Sequence, residues 1–194
     1  MKILALDPAA RCGWAVGNAG SFPQIGVWQL RRKHQTSEDA ARNLACYLRD
    51  LITIETPGLI AVEDFLNPEA QPSADSAIMS LRLHGAIDAI AGAYGIAVRR
   101  TAAAQVRKHF CGQATAVPAR KRGQAALSAK QKAENRLKTK QMVFYRAVAL
   151  GYFERGAPFD ADKGDVAAVF DHAAATFARA TPPRLVMFGE GVQQ

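Results

Sequence analysis

The sequence predicts an α/β fold built on a mixed sheet, in which three antiparallel strands are followed by parallel strands and helices flank the sheet. The first 30 residues contain three short strand-like runs separated by turn residues. Helical and strand-like segments then alternate along the chain. Two apolar runs, residues 3–7 and 59–63, end in the carboxylates Asp7 and Glu63. Such runs are typical of buried strands that deliver a charge to the edge of a sheet.

The three amino-terminal strands are predicted from short apolar runs with short connections. Residues 2–7 are expected to form the first strand, residues 14–16 the second, which ends at Gly17 and Asn18, and residues 25–30 the third. Consecutive strands joined by short turns pair as an antiparallel meander.

The later elements follow from helical spacing of apolar residues and from turn residues such as Gly95. The predicted elements are a helix at 37–52, a strand ending at 63, a helix at 79–94, a strand at 96–100, a short helix at 102–110, a helix from 139 or 140 to 152, and a last helix from 162 or 165 to 179. This order is that of the ribonuclease H-like mixed sheet, in which the first and fourth strands are neighbours. Asp7 and Glu63 are therefore expected side by side.

Length and composition favour a single ribonuclease H-like domain spanning residues 1–194, because 194 residues with 49% hydrophobic content fill one core. No long apolar stretch and no leader-like segment is apparent, so we expect a cytoplasmic protein without membrane association. Cys12, Cys46 and Cys111 are odd in number and lack the spacing of a disulfide or zinc module. Reduced thiols are expected.

The positive charge is concentrated in one part of the chain. The net charge is +8, and residues 118–140 carry eight basic residues against the single acid Glu134. The basic residues of this segment are Arg120, Lys121, Arg122, Lys130, Lys132, Arg136, Lys138 and Lys140. A basic segment on a nearly neutral body indicates contact with a polyanion, and we expect these residues to bind DNA from a partly mobile segment. A solvated loop whose charge only maintains solubility is the alternative.

The last predicted helix carries two acids on its apolar face. Asp162 and Asp165 are related by steps of three and four to Val166, Val169 and Phe170, so both carboxylates are expected to point towards the sheet. Either acid could instead be the N-cap of that helix. Asp7 and Glu63 could likewise be strand-end acids that face solvent.

Together, Asp7, Glu63, Asp162 and Asp165 are predicted to be catalytic metal ligands. Four carboxylates suit a hard cation such as Mg²⁺, for which Mn²⁺ can substitute. Two such ions can activate a water and stabilise the leaving oxygen of a phosphodiester. An acidic site and a basic segment in one small domain indicate a nuclease.

The ordered set of motifs resembles the RuvC family of Holliday-junction resolvases over nearly the whole chain. The motifs are residues 4–8 with 13–16, residues 60–63, and residues 162–168. The resemblance implies a homodimer with the 79–94 helix as an interface element, and Mg²⁺-dependent cutting of four-way or other branched DNA. It matches Asp7 and Glu63 to the family's first-strand and fourth-strand acids, and Asp162 and Asp165 to the acids of its last helix. Ala9 stands where the family usually has glycine.

Arg107 and Lys108 are further candidates for DNA contact, because similar proteins bring basic side chains there, although a solvent-facing helix explains them equally well. His109 and Cys111 are too few to indicate zinc, and His84 and His172 are expected to be core or surface histidines. No phosphate-binding G-x-x-x-x-G-K-[ST] loop is present in the sequence, so no nucleotide cofactor is expected.

Two alternative functions remain open on the sequence. One is an RNA-processing nuclease of the YqgF type, and the other is a catalytically inactive DNA-binding protein of the same fold.

Overall fold

The structure is a computed structural model, which describes residues 1–65, 73–117 and 126–184. These residues form five strands and five helices around one sheet. The strands are β1 (Lys2–Asp7), β2 (Arg11–Asn18), β3 (Gln24–Gln29), β4 (Leu59–Glu63) and β5 (Ala97–Thr101), and the helices are α1 (Ser37–Glu55), α2 (Ala74–Ala93), α3 (Ala103–Cys111), α4 (Ala129–Ala149) and α5 (Ala161–Thr176). None of these helices combines the length and apolarity that crossing a membrane requires.

The sheet has the order β3-β2-β1-β4-β5. β1, β2 and β3 pair antiparallel, whereas β4 pairs parallel with both β1 and β5. The predicted ribonuclease H-like fold is therefore confirmed. Since Leu6 of β1 lies opposite Val62 of β4 in the parallel ladder, Asp7 and Glu63 reach the same edge of the sheet.

Two helical layers cover the sheet, one on each face. α1 and α2 pack against Leu4 and Leu6 of β1, and α3, α4 and α5 pack against Ile3 and Ala5. Successive residues of a strand face opposite layers, and all four of these residues are fully buried. A central strand that is buried on both faces is apolar at every position, which explains the unbroken apolar run before Asp7.

α5 approaches β2 closely at Gly13. A Cβ on this residue would lie 2.5 Å from the carbonyl oxygen of Asp162, so any larger side chain would push the helix away from the sheet. Gly164 plays the same part between α5 and α4, because its Cβ would lie 3.0 Å from the Cα of Phe144. These two glycines let the first turn of α5 reach the edge where β1 and β4 end.

Several boundaries differ from the sequence predictions. α4 begins at Ala129, whereas the predicted start was residue 139 or 140. Ser128 and Gln131 form a capping box that starts the helix at this point. Its first turns are charged and exposed. These turns contain no apolar stripe that periodicity could detect. α2 likewise begins at Ala74, behind Ser73 as its N-cap.

Candidate functional site

Three elements bring the four predicted acids together. Asp7 ends β1, Glu63 ends β4, and Asp162 and Asp165 lie in the first turn and a half of α5. The charges of Glu63, Asp165 and Asp162 all raise the pKa of Asp7. The four acids are therefore close enough at the sheet edge to affect one another's charge. Asp162 and Asp165 face the sheet, as the helical periodicity predicted.

The N-cap of α5 is Asp160, which the sequence analysis missed. Its carboxylate accepts hydrogen bonds from the backbone N–H groups of Asp162, at 3.2 Å, and Lys163, at 3.3 Å. The alternative that Asp162 or Asp165 caps the helix is therefore wrong. An aspartate two residues before a predicted helix start was the available signal.

Arg11 holds the start of α5 against the turn that follows β1. Its guanidinium forms a two-pronged ion pair with Asp160, at 3.0 and 2.6 Å, and also donates to Asp162. The hydrogen bond to Arg11 lowers the pKa of Asp160 below its ordinary value. Bidentate pairs of this kind fix orientation as well as charge.

Burial and mutual repulsion raise the proton affinity of three acids. Burial is the main cause for Glu63, whose pKa rises to about 7, with the negative charge of Asp165 as a further cause. The pKa of Asp7 lies well above its ordinary value because of burial and then the Glu63 charge. Burial likewise raises the pKa of Asp165. Such a cluster is stable at neutral pH only with compensating positive charge.

Lys140 supplies part of that charge. Its ammonium lies 3.3 Å from Asp165 and 3.6 Å from Asp162. Burial opposes the charged form of Lys140, but the carboxylates of Asp165, Asp162 and Asp7 outweigh it and raise its pKa. The sequence predicts that Lys140 binds DNA with the rest of the basic segment. In the structure it lies on the same helix, α4, as the exposed Lys130, Lys132 and Lys138, but its ammonium is placed among the acids.

The donor set fits a hard divalent cation. It consists of four carboxylates, and burial raises the pKa values of three of them, Asp7, Glu63 and Asp165. Asp162 and Asp165 keep 18% and 16% of their side chains exposed for access. Within the described ranges, however, no three His, Cys, Asp or Glu side chains converge as a ready-made ligand set. Lys140 and Arg11 provide the positive charge at the acids in this arrangement.

A pocket of about 280 Å³ opens beside Asp7 and Glu63 towards α2. Phe65 lines this pocket with 42% of its surface exposed, and its ring packs edge-on against His84 with the ring centroids 5.4 Å apart. His84 is buried, and its Nδ1 has no hydrogen-bond partner in the described part of the chain. The remaining lining residues are Pro8, Ala9, Asp64, Ser76, Met79 and Ser80.

The predicted DNA-binding residues divide into three groups. Arg107 is half-buried on α3, and its charge lowers the pKa of both Glu63 and Asp165, whereas Lys108 beside it is exposed. The residues on the first half of α4 are exposed, and they are Lys130, Lys132, Arg136 and Lys138. Arg120, Lys121 and Arg122 lie outside the described residues.

A buried carboxylate, Asp171, anchors the other end of α5 and was also missed from the sequence. It is fully buried and accepts hydrogen bonds from the hydroxyl of Tyr152, at 2.8 Å, and from Arg184 at 2.5 Å. His109 lies 2.8 Å from the same carboxylate. These contacts join α3, α5 and the segment after it, and so hold α5 in the position that presents Asp162 and Asp165.

No protein-family model matches the sequence, and no curated protein matches it significantly. Solved structures do resemble it. Thermus thermophilus RuvC superposes with a TM-score of 0.63 at 17% identity, over 94% of this chain and 99% of that one. T. thermophilus RuvC in complex with Holliday junction substrate gives 0.64 at 14% identity, over 94% and 99%. The yeast mitochondrial Holliday junction resolvase Ydc2 gives 0.54 at 12% identity, over 89% and 77%. The predicted resemblance is thus confirmed in three dimensions: this chain has the fold of RuvC-type Holliday junction resolvases.

Proposed function

We propose that the protein is a metal-dependent, structure-selective endonuclease that cuts phosphodiester bonds in four-way or other branched DNA. The observation that carries this proposal is the group of four acids that β1, β4 and α5 hold at one sheet edge, where burial raises the pKa values of Asp7, Glu63 and Asp165. Exposed basic residues on α4 and the shared fold with junction resolvases support DNA as the substrate.

In this proposal Asp7, Glu63, Asp162 and Asp165 hold Mg²⁺ or Mn²⁺, with two ions per site. When bound, the ions supply an activated water and stabilise charge on the leaving oxygen. Arg11 and Asp160 fix the start of α5, so that Asp162 keeps its orientation. Lys140 neutralises part of the charge of Asp162 and Asp165, and with cations held by the acids its ammonium would attract the negatively charged phosphate.

We further propose a homodimer, because paired nicks in a four-way junction require two sites related by symmetry. α2 offers a surface for this contact. Ile78 and Leu81 on this helix are 46% and 48% exposed.

The test of this proposal compares substrates side by side. In Mg²⁺, the protein should cut a synthetic four-way DNA junction faster than linear duplex by about tenfold or more, which corresponds to about 1.4 kcal/mol of discrimination. The two cuts should be symmetric, and light scattering should report a dimer on the junction. Preferential cutting of structured RNA would favour the YqgF-type alternative. Junction binding that needs no metal, without any cutting in Mg²⁺, would favour an inactive DNA-binding protein.

The exposed half of α4 should contribute DNA affinity and no chemistry. Converting Lys130, Lys132 and Arg136 to Gln should flatten the slope of log affinity against log salt by up to about 0.9 per lost phosphate contact. The measurement is fluorescence anisotropy with a labelled junction over a KCl series. Single-turnover cutting at saturating protein should stay at the wild-type rate, since these side chains lie away from the acids. An unchanged salt slope would show that this face does not contact DNA.

A further inference from the structure

The loop between β3 and α1 carries four consecutive basic residues, Arg31, Arg32, Lys33 and His34. They lie outside the basic segment 118–140. The chain outside that segment has nearly equal numbers of basic and acidic residues, so its net charge does not reveal this short basic run. In the structure they line a groove of about 510 Å³. The other residues of this groove are Ala10, Gln35, Asp75, Ser76 and Met79.

This groove adjoins the pocket beside the acids. Ser76 and Met79 of α2 line both of them. On the opposite wall, Ala9 lines the acid pocket and the adjacent Ala10 lines the groove. A linear molecule that leaves the acid pocket along α2 therefore enters the basic groove.

The backbone of the loop is held by hydrogen bonds to the turn that follows Asp7. The N–H groups of Leu30 and Arg31 both donate to the carbonyl oxygen of Ala10, at 2.9 and 3.1 Å. The side chain of Gln29 donates to the carbonyl oxygen of Arg31 at 2.7 Å. These hydrogen bonds fix the position of the basic run relative to Asp7.

The far side of the loop is held by Gln35 and α1. The Gln35 side chain accepts a hydrogen bond from the Arg32 N–H at 2.7 Å, and the Gln35 N–H donates to the Arg32 carbonyl oxygen at 3.1 Å. The next residue, Thr36, caps α1 through a capping box with Asp39. A loop fixed at both ends presents its side chains with little loss of entropy on binding.

Charge pairing leaves this groove strongly positive. Its one acid, Asp75, is paired with Arg31 at 2.6 Å. Arg32 and Lys33 are exposed and have no ion-pair partner among residues 1–65, 73–117 and 126–184. Unpaired arginine and lysine side chains bind the phosphates of a nucleic-acid backbone without reading its sequence. Arg32 and Lys33 lie in a groove that adjoins the acid pocket, and so could bind such phosphates.

From this arrangement we infer that the β3–α1 loop is a phosphate-binding surface, on which Arg32 and Lys33 hold the backbone of the DNA strand on one side of the bond that is cut. The inference rests on the proposed nuclease function and adds a binding surface to it. The loop belongs to the α1 and α2 layer, whereas the basic face of α4 belongs to the opposite layer. The DNA would then contact both helical layers, with the acids between the two binding surfaces.

The test uses a double variant, Arg32→Gln with Lys33→Gln, and a control that removes the same two residue types elsewhere. Lys2 lies at the opposite end of β1, where it pairs with Glu55 near the end of α1, and Arg49 is exposed in the second half of α1. Lys2→Gln with Arg49→Gln therefore matches the charge change at the opposite edge of the sheet. Junction binding is measured in Ca²⁺ over a KCl series, and single-turnover cutting in Mg²⁺ at saturating protein.

The groove variant should flatten the salt slope by about one to two units, at about 0.9 per phosphate contact, while the control keeps the wild-type slope. The control should also cut at the wild-type rate at saturation. Equal slopes for the groove variant, the control and the wild type, with cutting intact, would overturn the groove assignment and leave the proposed function standing. No junction binding or cutting by the wild type would overturn both.

A second measurement locates the contact. A set of junctions is prepared, each with one neutral methylphosphonate at a different position around the cut. The affinity of each junction is measured for the wild type and for the groove variant. Neutralising phosphates on one side of the cut should weaken the wild type and leave the groove variant unchanged, because the variant has already lost those contacts. Equal losses for both proteins at every position would contradict the assignment.

Discussion

The Asp7→Asn variant should lose metal-dependent cutting by about 10²- to 10³-fold or more, the range expected when one group that stabilises transition-state charge is removed. Asp7 is the most crowded of the acids, since Glu63, Asp165 and Asp162 all act on it. Removing its charge weakens cation binding and misplaces the attacking water. Glu63→Gln should behave in the same way. Cutting is measured under single-turnover conditions in Mg²⁺ with a four-way junction.

DNA affinity should not fall with catalysis in these variants. Without bound cations the acids repel a phosphate, so removing one negative charge should leave junction affinity unchanged or slightly higher. Asp50→Asn on the exposed face of α1 and Glu154→Gln after α4 are matched controls, because each makes the same chemical change away from the acids and from the basic face of α4. If Asp7→Asn cuts at the rate of Asp50→Asn, the acids are not the reactive centre.

The second large effect concerns the stability of the metal-free protein. In EDTA at pH 8, Glu63→Gln should be more stable than the wild type, by up to about 3 kcal/mol or roughly 6 to 12 °C in Tm. The folded-state pKa of Glu63 is about 7, against an ordinary value of 4.5. Between these values the folded protein holds more protons than the unfolded chain, so its stability falls as the pH rises from 4.5 to 7. Glutamine carries no charge to bury and avoids this loss.

The comparison is made by thermal unfolding from about pH 3.5 to pH 8, so that it extends below the ordinary pKa of a glutamate. Below pH 4.5 Glu63 is protonated in both states, so wild type and variant should converge. Mg²⁺ should raise the Tm of the wild type more at pH 8 than at pH 5, because a cation binds the ionised carboxylates. Glu154→Gln, an exposed change, is the control. A wild type that is at least as stable as Glu63→Gln in EDTA at pH 8 would show that the acids are not crowded in a buried site.

The order of elements and the four acids could be predicted because each depends on local sequence. A strand buried on both faces must be apolar throughout, so the runs before Asp7 and Glu63 were recognisable, and strand order made their carboxyl ends neighbours. The inward phase of Asp162 and Asp165 followed from helical periodicity alone. The exposed half of α4 was missed because charged, solvated turns have no apolar stripe, and its capping box was the only local signal.

The sequence by itself therefore determined the fold class and the edge of the sheet that the four acids share. Tertiary structure alone decided which positive groups meet them. Arg11 reaches Asp160 across 149 positions of sequence, Lys140 joins the acids and not the exposed lysines around it, and the β3–α1 loop is fixed beside the turn after Asp7 by hydrogen bonds to Ala10. Long, flexible cationic side chains have no periodicity that reveals their direction, and their partners are chosen by burial and Coulomb attraction only after the layers have packed.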